Sequence, residues 1–151
     1  MTTVPTPLPD AEWYGDFEQQ REFALECVRS TKWGGRVPLI MIDLHDDYAR
    51  RSRDRIRYYR NPRVWQDIRA ALDKFLKLNP DETGWHHNYF WYAYVAQDWD
   101  VAARELELMG TEINYDYFGG QDEFKRMAAE VRAHAAPTAP VQSDKSASNP
   151  L

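Results

Sequence analysis

The chain has 151 residues, 43% of them hydrophobic and 28% charged, with a net charge of −5 and a single cysteine. That suffices for one domain with a real core and is too little for two comfortable ones. The acidity argues against nucleic acid as the default partner, and a lone Cys27 excludes an internal disulfide or a cysteine-based zinc site.

No apolar run approaches the roughly 20 residues a membrane span needs. The Thr- and Pro-rich start at residues 1–9 lacks the basic and apolar regions of a secretory signal, so a cytoplasmic protein is expected. Arg outnumbers Lys among the 19 basic residues, which hints at a GC-rich, bacterial genome. Six Trp, nine Tyr and six Phe make 14% of the chain. Rings of this size fill seams between helices, and so many of them leave some partly exposed, as protein interfaces favour.

Residues 1–9 contain three prolines and read as an extended arm. A helix is expected from Asp10 or Asp16 to about Ser30, with Trp13, Phe17, Gln20, Ala24, Cys27 and Val28 on its buried face. Cys27 then reads as a small buried hydrophobe. Lys32-Trp33-Gly34-Gly35 ends this helix in a glycine turn. Pro38 suits the first position of a second helix, expected to run unbroken to Arg60 with Val37, Met41, Leu44, Tyr48, Ser52, Ile56 and Tyr59 buried. Leu39-Ile40-Met41-Ile42 alone resembles a strand, but no second strand is there to pair with it.

Asn61-Pro62 marks a cap and first turn, and Trp65, Ile68, Leu72, Phe75 and Leu76 form a strong amphipathic stripe that ends at Leu78-Asn79-Pro80. A fourth helix spans about Thr83 to Gln97, carrying Trp85, Tyr89, Tyr92, Ala93 and Ala96. Its partner runs from Trp99 to Met109, with Asp98 as N-cap and Gly110 as the stop. After a loop from Thr111 to Gly120 a last helix runs from Gln121 to about His134. Residues 136–151, rich in Pro, Ala, Ser and Thr, are expected to stay disordered, because they cannot offset their ordering entropy.

The fold class expected is therefore all-α, with about six helices stacked as antiparallel hairpins in a compact array over residues 10–135. Within it, residues 61–110 resemble the tetratricopeptide repeat. One register places Pro80 at the closing position of a 34-residue unit, Asp98-Trp99 on the inter-helix turn and Ala102 at the recurrent small position. Phe90 and Met109 depart from the repeat's small residues, and no Pro follows Gly110. With its Lys32-Trp33-Gly34-Gly35, Val64-Trp65 and Phe118-Gly119-Gly120 segments, the whole layout also resembles uncharacterised bacterial helical domains of this type. The resemblance implies a surface that holds other proteins and requires no cofactor or metal.

Chemistry-bearing groups are sparse. Asp43-Leu44-His45-Asp46-Asp47 reads first as a solvated acidic face near a helix start, and His86-His87 point about 100° apart on a helix, too divergent for one metal. A small metal-dependent enzyme using His45, Asp46, Asp47 and His86 is the rival class. Arg50, Arg53, Arg57 and Arg60 recur on one face of the expected long helix. That face is a salt-bridged surface, a docking site for an acidic protein, or a nucleic-acid contact. No phosphate loop and no nucleophile elbow is present. The function expected is a non-catalytic protein-binding module, an adaptor or an immunity-type protein that masks its partner. Its candidate contacts are Arg50, Arg53, Arg57 and Arg60, the Trp85-Tyr89-Tyr92 helix, and the Tyr115-Tyr117-Phe118 loop.

Overall fold

The computed structural model describes residues 11–32 and 34–135, with side chains from residue 16 onward. The arm at 1–9, the tail at 136–151, Trp33 and the side chain of Trp13 lie outside the described residues. Among those described, the regular structure is all helical: α1 (Ala11–Arg29), α2 (Leu39–Arg51), α3 (Arg55–Arg60), α4 (Pro62–Leu78), α5 (Trp85–Ala96), α6 (Trp99–Met109) and α7 (Gln121–His134), with a 3₁₀ turn at Tyr115–Phe118.

Local chemistry sets most of the boundaries. Asn61 accepts a hydrogen bond from the Arg63 N–H and Pro62 follows it at the first helical position, so α4 starts there. Asn79 ends α4, its side-chain amide donating to the carbonyls of Phe75 and Gly35 at 2.9 Å each, which also ties this turn to the α1–α2 loop. Asp98 caps α6 through the Val101 N–H, after Gln97 reverses the chain in the left-handed region at φ 61°.

The long helix expected over residues 38–60 is two helices. Ser52 takes extended backbone angles and its hydroxyl donates to the Ala49 carbonyl at 2.8 Å, while Asp54 accepts from the Arg57 N–H and caps a new helix. Short polar side chains compete for backbone groups in this way and break helices where they cluster. The break turns Ile56 outward, 42% exposed, whereas Tyr59 stays buried. Gln20, expected on the buried face of α1, is exposed, and Cys27 is buried as expected.

α4 lies at the centre, in contact with α1, α2, α3 and α5. Leu72 and Phe75 on α4 and Phe90 on α5 are wholly buried. α5 and α6 form the most intimate pair, where Ala93 and Ala102 are both fully buried. Small residues at a helix seam let the two backbones approach closely. Against this pair α7 seats Phe124, whose ring meets Phe90 and Phe118 at 5.9 and 5.1 Å.

Candidate functional site

Three buried polar clusters gather most of the chemistry-bearing side chains. In the first, Asp67 of α4 is 6% exposed and takes both oxygens' hydrogen bonds from α1 and α2. The Arg21 guanidinium donates to it through two nitrogens at 2.7 and 2.8 Å, and His45 Nε2 lies 2.9 Å from the same carboxylate. His45 Nδ1 is 2.8 Å from the Tyr58 hydroxyl. With the ring proton on Nε2, His45 donates to Asp67 and accepts from Tyr58, so both of its ring nitrogens are paired. Burial pushes the Asp67 carboxyl up, but hydrogen bonds from His45 and Arg21 outweigh it and hold the group below its ordinary value.

The second cluster centres on Asp46, which accepts from the hydroxyls of Tyr59 at 2.6 Å and Tyr92 at 2.8 Å. The third pairs His86 Nδ1 with the buried Glu105 carboxylate at 2.5 Å, and Arg104 holds the other Glu105 oxygen at 3.0 Å. Asp43-Leu44-His45-Asp46-Asp47 is therefore split rather than a solvated face. Asp43 is exposed, Asp47 pairs with Arg51 at 2.6 Å, and His45 and Asp46 turn inward to different partners.

The order Tyr58–His45–Asp67 has the pattern of nucleophile, base and orienting carboxylate. Burial, with Tyr59 beside it, drives the Tyr58 hydroxyl far above its ordinary value, so it stays protonated and donates to His45. Arg21 also fixes Asp67 from the opposite side. His45 and His86 serve separate clusters, and among the described residues no three His, Cys, Asp or Glu side chains group as a metal ion needs.

Three expected contact residues are core instead. Tyr89, Tyr92 and Phe118 are 1%, 5% and 6% exposed. The hydroxyls of the two tyrosines bind Asp73 and Asp46, which explains how rings at core spacing can carry polar tips. Trp85 and Tyr115 are half-buried against the core, and Tyr117 alone of this set is well exposed. The arginines do not share one helix, since the Ser52–Asp54 break divides them. Arg50 lies 3.7 Å from Asp47, and Arg60 Nε donates to the Val95 carbonyl at 3.2 Å.

The chain matches no family model, no curated protein and no solved structure.

The surface that stands out was not anticipated. Phe23 of α1 is 52% exposed and Ile40 of α2 is 36% exposed, and with Leu44 they line a shallow groove of about 500 Å³ between the two helices. Asp16, Asp43 and Asp47 border it. On the other side of Phe23 a second depression is lined by Glu18, Glu22 and Glu26. The remaining exposed large apolar side chains, Ile56, Leu78, Leu108 and Tyr117, sit on four different elements. A signal for this face existed in the sequence. Phe23 lies off the α1 core stripe, and Glu18, Glu22 and Glu26 recur at i, i+4, i+8, one side of a helix.

Proposed function

We propose that this chain is a non-catalytic protein-binding module, of adaptor or immunity type, that takes its partner on the α1–α2 face. The observation that carries the reading is the pairing of exposed Phe23 and Ile40 in one groove, ringed by carboxylates. An apolar centre with a polar rim is the anatomy of protein interfaces, and large aromatic side chains supply much of their binding energy. Asp67, His45 and His86 support the same reading from the other direction, because each is occupied in hydrogen bonds between helices. The tetratricopeptide-like stretch at 61–110 serves in this view as the frame behind the face, in a cytoplasmic bacterial protein.

Affinity capture from the native host tests the reading, with wild type beside a Phe23→Glu, Ile40→Glu variant and an Arg53→Glu, Arg57→Glu variant. A stoichiometric protein should co-elute with wild type and with the arginine variant, and vanish with the Phe23/Ile40 variant. Co-purification of nucleic acid or metal with no protein contradicts the reading and returns attention to the arginines or to the His/Asp cluster.

A further inference from the structure

We propose that the occupant of the α1–α2 face is a basic amphipathic helix, its apolar stripe on Phe23 and Ile40 and its Lys or Arg side chains between the flanking carboxylates. This rests on the protein-binding reading above and names the chemistry of the partner.

Most carboxylates of this face lack a direct ion pair among the described residues, although Arg36 and Arg50 act on Asp43, and Arg21 on Glu22, from farther off. Of the six carboxylates beside Phe23, Glu18 is held by Arg63 at 2.7 Å and Asp47 by Arg51 and Arg50. Asp16, Glu22, Glu26 and Asp43 form no ion pair among the described residues. On α1, Arg21 makes its direct contacts with Asp67 while its charge is also felt by Glu18 and Glu22, and Arg29 in the last turn forms no ion pair with Glu26. A nucleic acid, an anionic membrane or an acidic peptide is repelled here, whereas a cationic partner is drawn in and oriented.

The layout also selects a helix. Glu18, Glu22 and Glu26 advance along α1 in steps of four residues, and Asp43 and Asp47 do the same along α2. Each step is about 6 Å, the same spacing that Lys or Arg residues four apart present on a partner helix. The apolar seam between two charged rows is the arrangement by which helix-in-groove partners and coiled-coil flanks fix register. An extended peptide would need a sheet edge, and no strand exists among the described residues. A second copy docking about a twofold axis would set acidic rows against acidic rows.

Three synthetic helical peptides test this against the full-length chain. One has a Leu/Phe stripe flanked by Lys and Arg, the second has the same stripe flanked by Glu, and the third has the cations without the stripe. Binding is read by fluorescence anisotropy at low and high salt, and located by amide shift changes in the isotope-labelled protein. The first peptide should bind one-to-one with shifts confined to α1 and α2. Phe23→Ala should weaken it about tenfold or more, as loss of an interface anchor does. A Glu22→Lys, Asp43→Lys variant should do the same, and added salt should weaken it further. Arg53→Glu, Arg57→Glu should bind as wild type. The second and third peptides should bind at least about tenfold more weakly.

Equal binding of all three peptides, or shifts centred elsewhere, overturns the proposal. Phe23-dependent self-association in sedimentation overturns it in favour of a second copy. If a host protein is captured through Phe23 while the basic peptide fails to bind, the helix proposal falls and the protein-binding reading survives. Failure of both experiments removes both.

Discussion

The α1–α2 face and the arginine-rich corner from Arg50 to Arg60 are both dense in charge, but their charges are employed differently. At the corner, Arg50 reaches Asp47, Arg60 binds a backbone carbonyl of α5, and Arg55 lies over the rings of Tyr59 and Trp91 at 5.8 and 5.3 Å, leaving Arg53 and Arg57 exposed and without an ion pair among the described residues. On the α1–α2 face four carboxylates surround exposed apolar surface without an ion pair among the described residues. Density of charge along a sequence therefore says little about its availability. What decides availability is whether the fold brings a counter-charge, a carbonyl or a ring to each group. The same contrast runs through single helices: on α1, Arg21 turns inward to Asp67 while Phe23, two residues later, faces solvent.

The largest expected effect comes from the inward side of this flank. Asp67→Ala removes the anchor that joins α1, α2 and α4 and leaves the Arg21 guanidinium and His45 without their carboxylate. A loss of about 3–5 kcal/mol in denaturant unfolding is expected, since breaking one partner of a buried pair strands the other. On the outward side, Phe23→Glu should leave stability within about 0.5 kcal/mol, as surface changes do, while weakening the partner about tenfold or more. A large stability loss in Phe23→Glu would mean that the ring is structural and that the two sides of α1 are not distinct.

Acidification separates the two sides again. Partial desolvation at the foot of an otherwise exposed side chain, with Asp46 beside it, raises the Asp43 carboxyl above its ordinary value of 3.8 against the opposing pull of Arg36 and Arg50, whereas Asp67 is held below the same value by its hydrogen bonds. On the way down in pH, Asp43 takes its proton first, so a cationic partner should be weakened before the Asp67 network is lost. The stability that Asp67 contributes is complete above 3.8 and disappears as the pH falls through its depressed folded value. His87 adds an earlier decline. Burial lowers it below its ordinary 6.5, so the unfolded chain takes up the proton first and stability falls as the pH drops below 6.5. Denaturant midpoints and partner affinity measured in parallel across this range check the order. The smallest effect expected is that of Arg53→Glu, Arg57→Glu, within about 0.5 kcal/mol in stability and with partner capture unchanged.

Much of the fold was legible because its signals are local. Asn61-Pro62, Asn79-Pro80, Asp98 and Gly110 mark real helix ends, and a capping side chain acts within a few residues of itself. The break at Ser52–Asp54 was missed because Tyr48 and Tyr59 are both buried and keep the helical spacing in phase across it. The polar clusters were hidden for a different reason. His45 and Asp67 are 22 positions apart, and Arg21 and Asp67 are 46 apart, so only tertiary packing brings them together. Tyr89 and Tyr92 illustrate how one residue type serves two readings, since an amphipathic ring at core spacing can face a partner or hold an internal carboxylate. The Phe23–Ile40 face needed the converse knowledge, namely which side of each helix the packing leaves open.

Hydrogen exchange of the chain, alone and with the captured host protein, tests the central claim most directly. The account predicts new protection concentrated on α1 and α2 around Phe23 and Ile40, with α3 exchanging as in the free protein. Protection centred on the Arg53–Arg57 corner, or none anywhere in the chain, would contradict it.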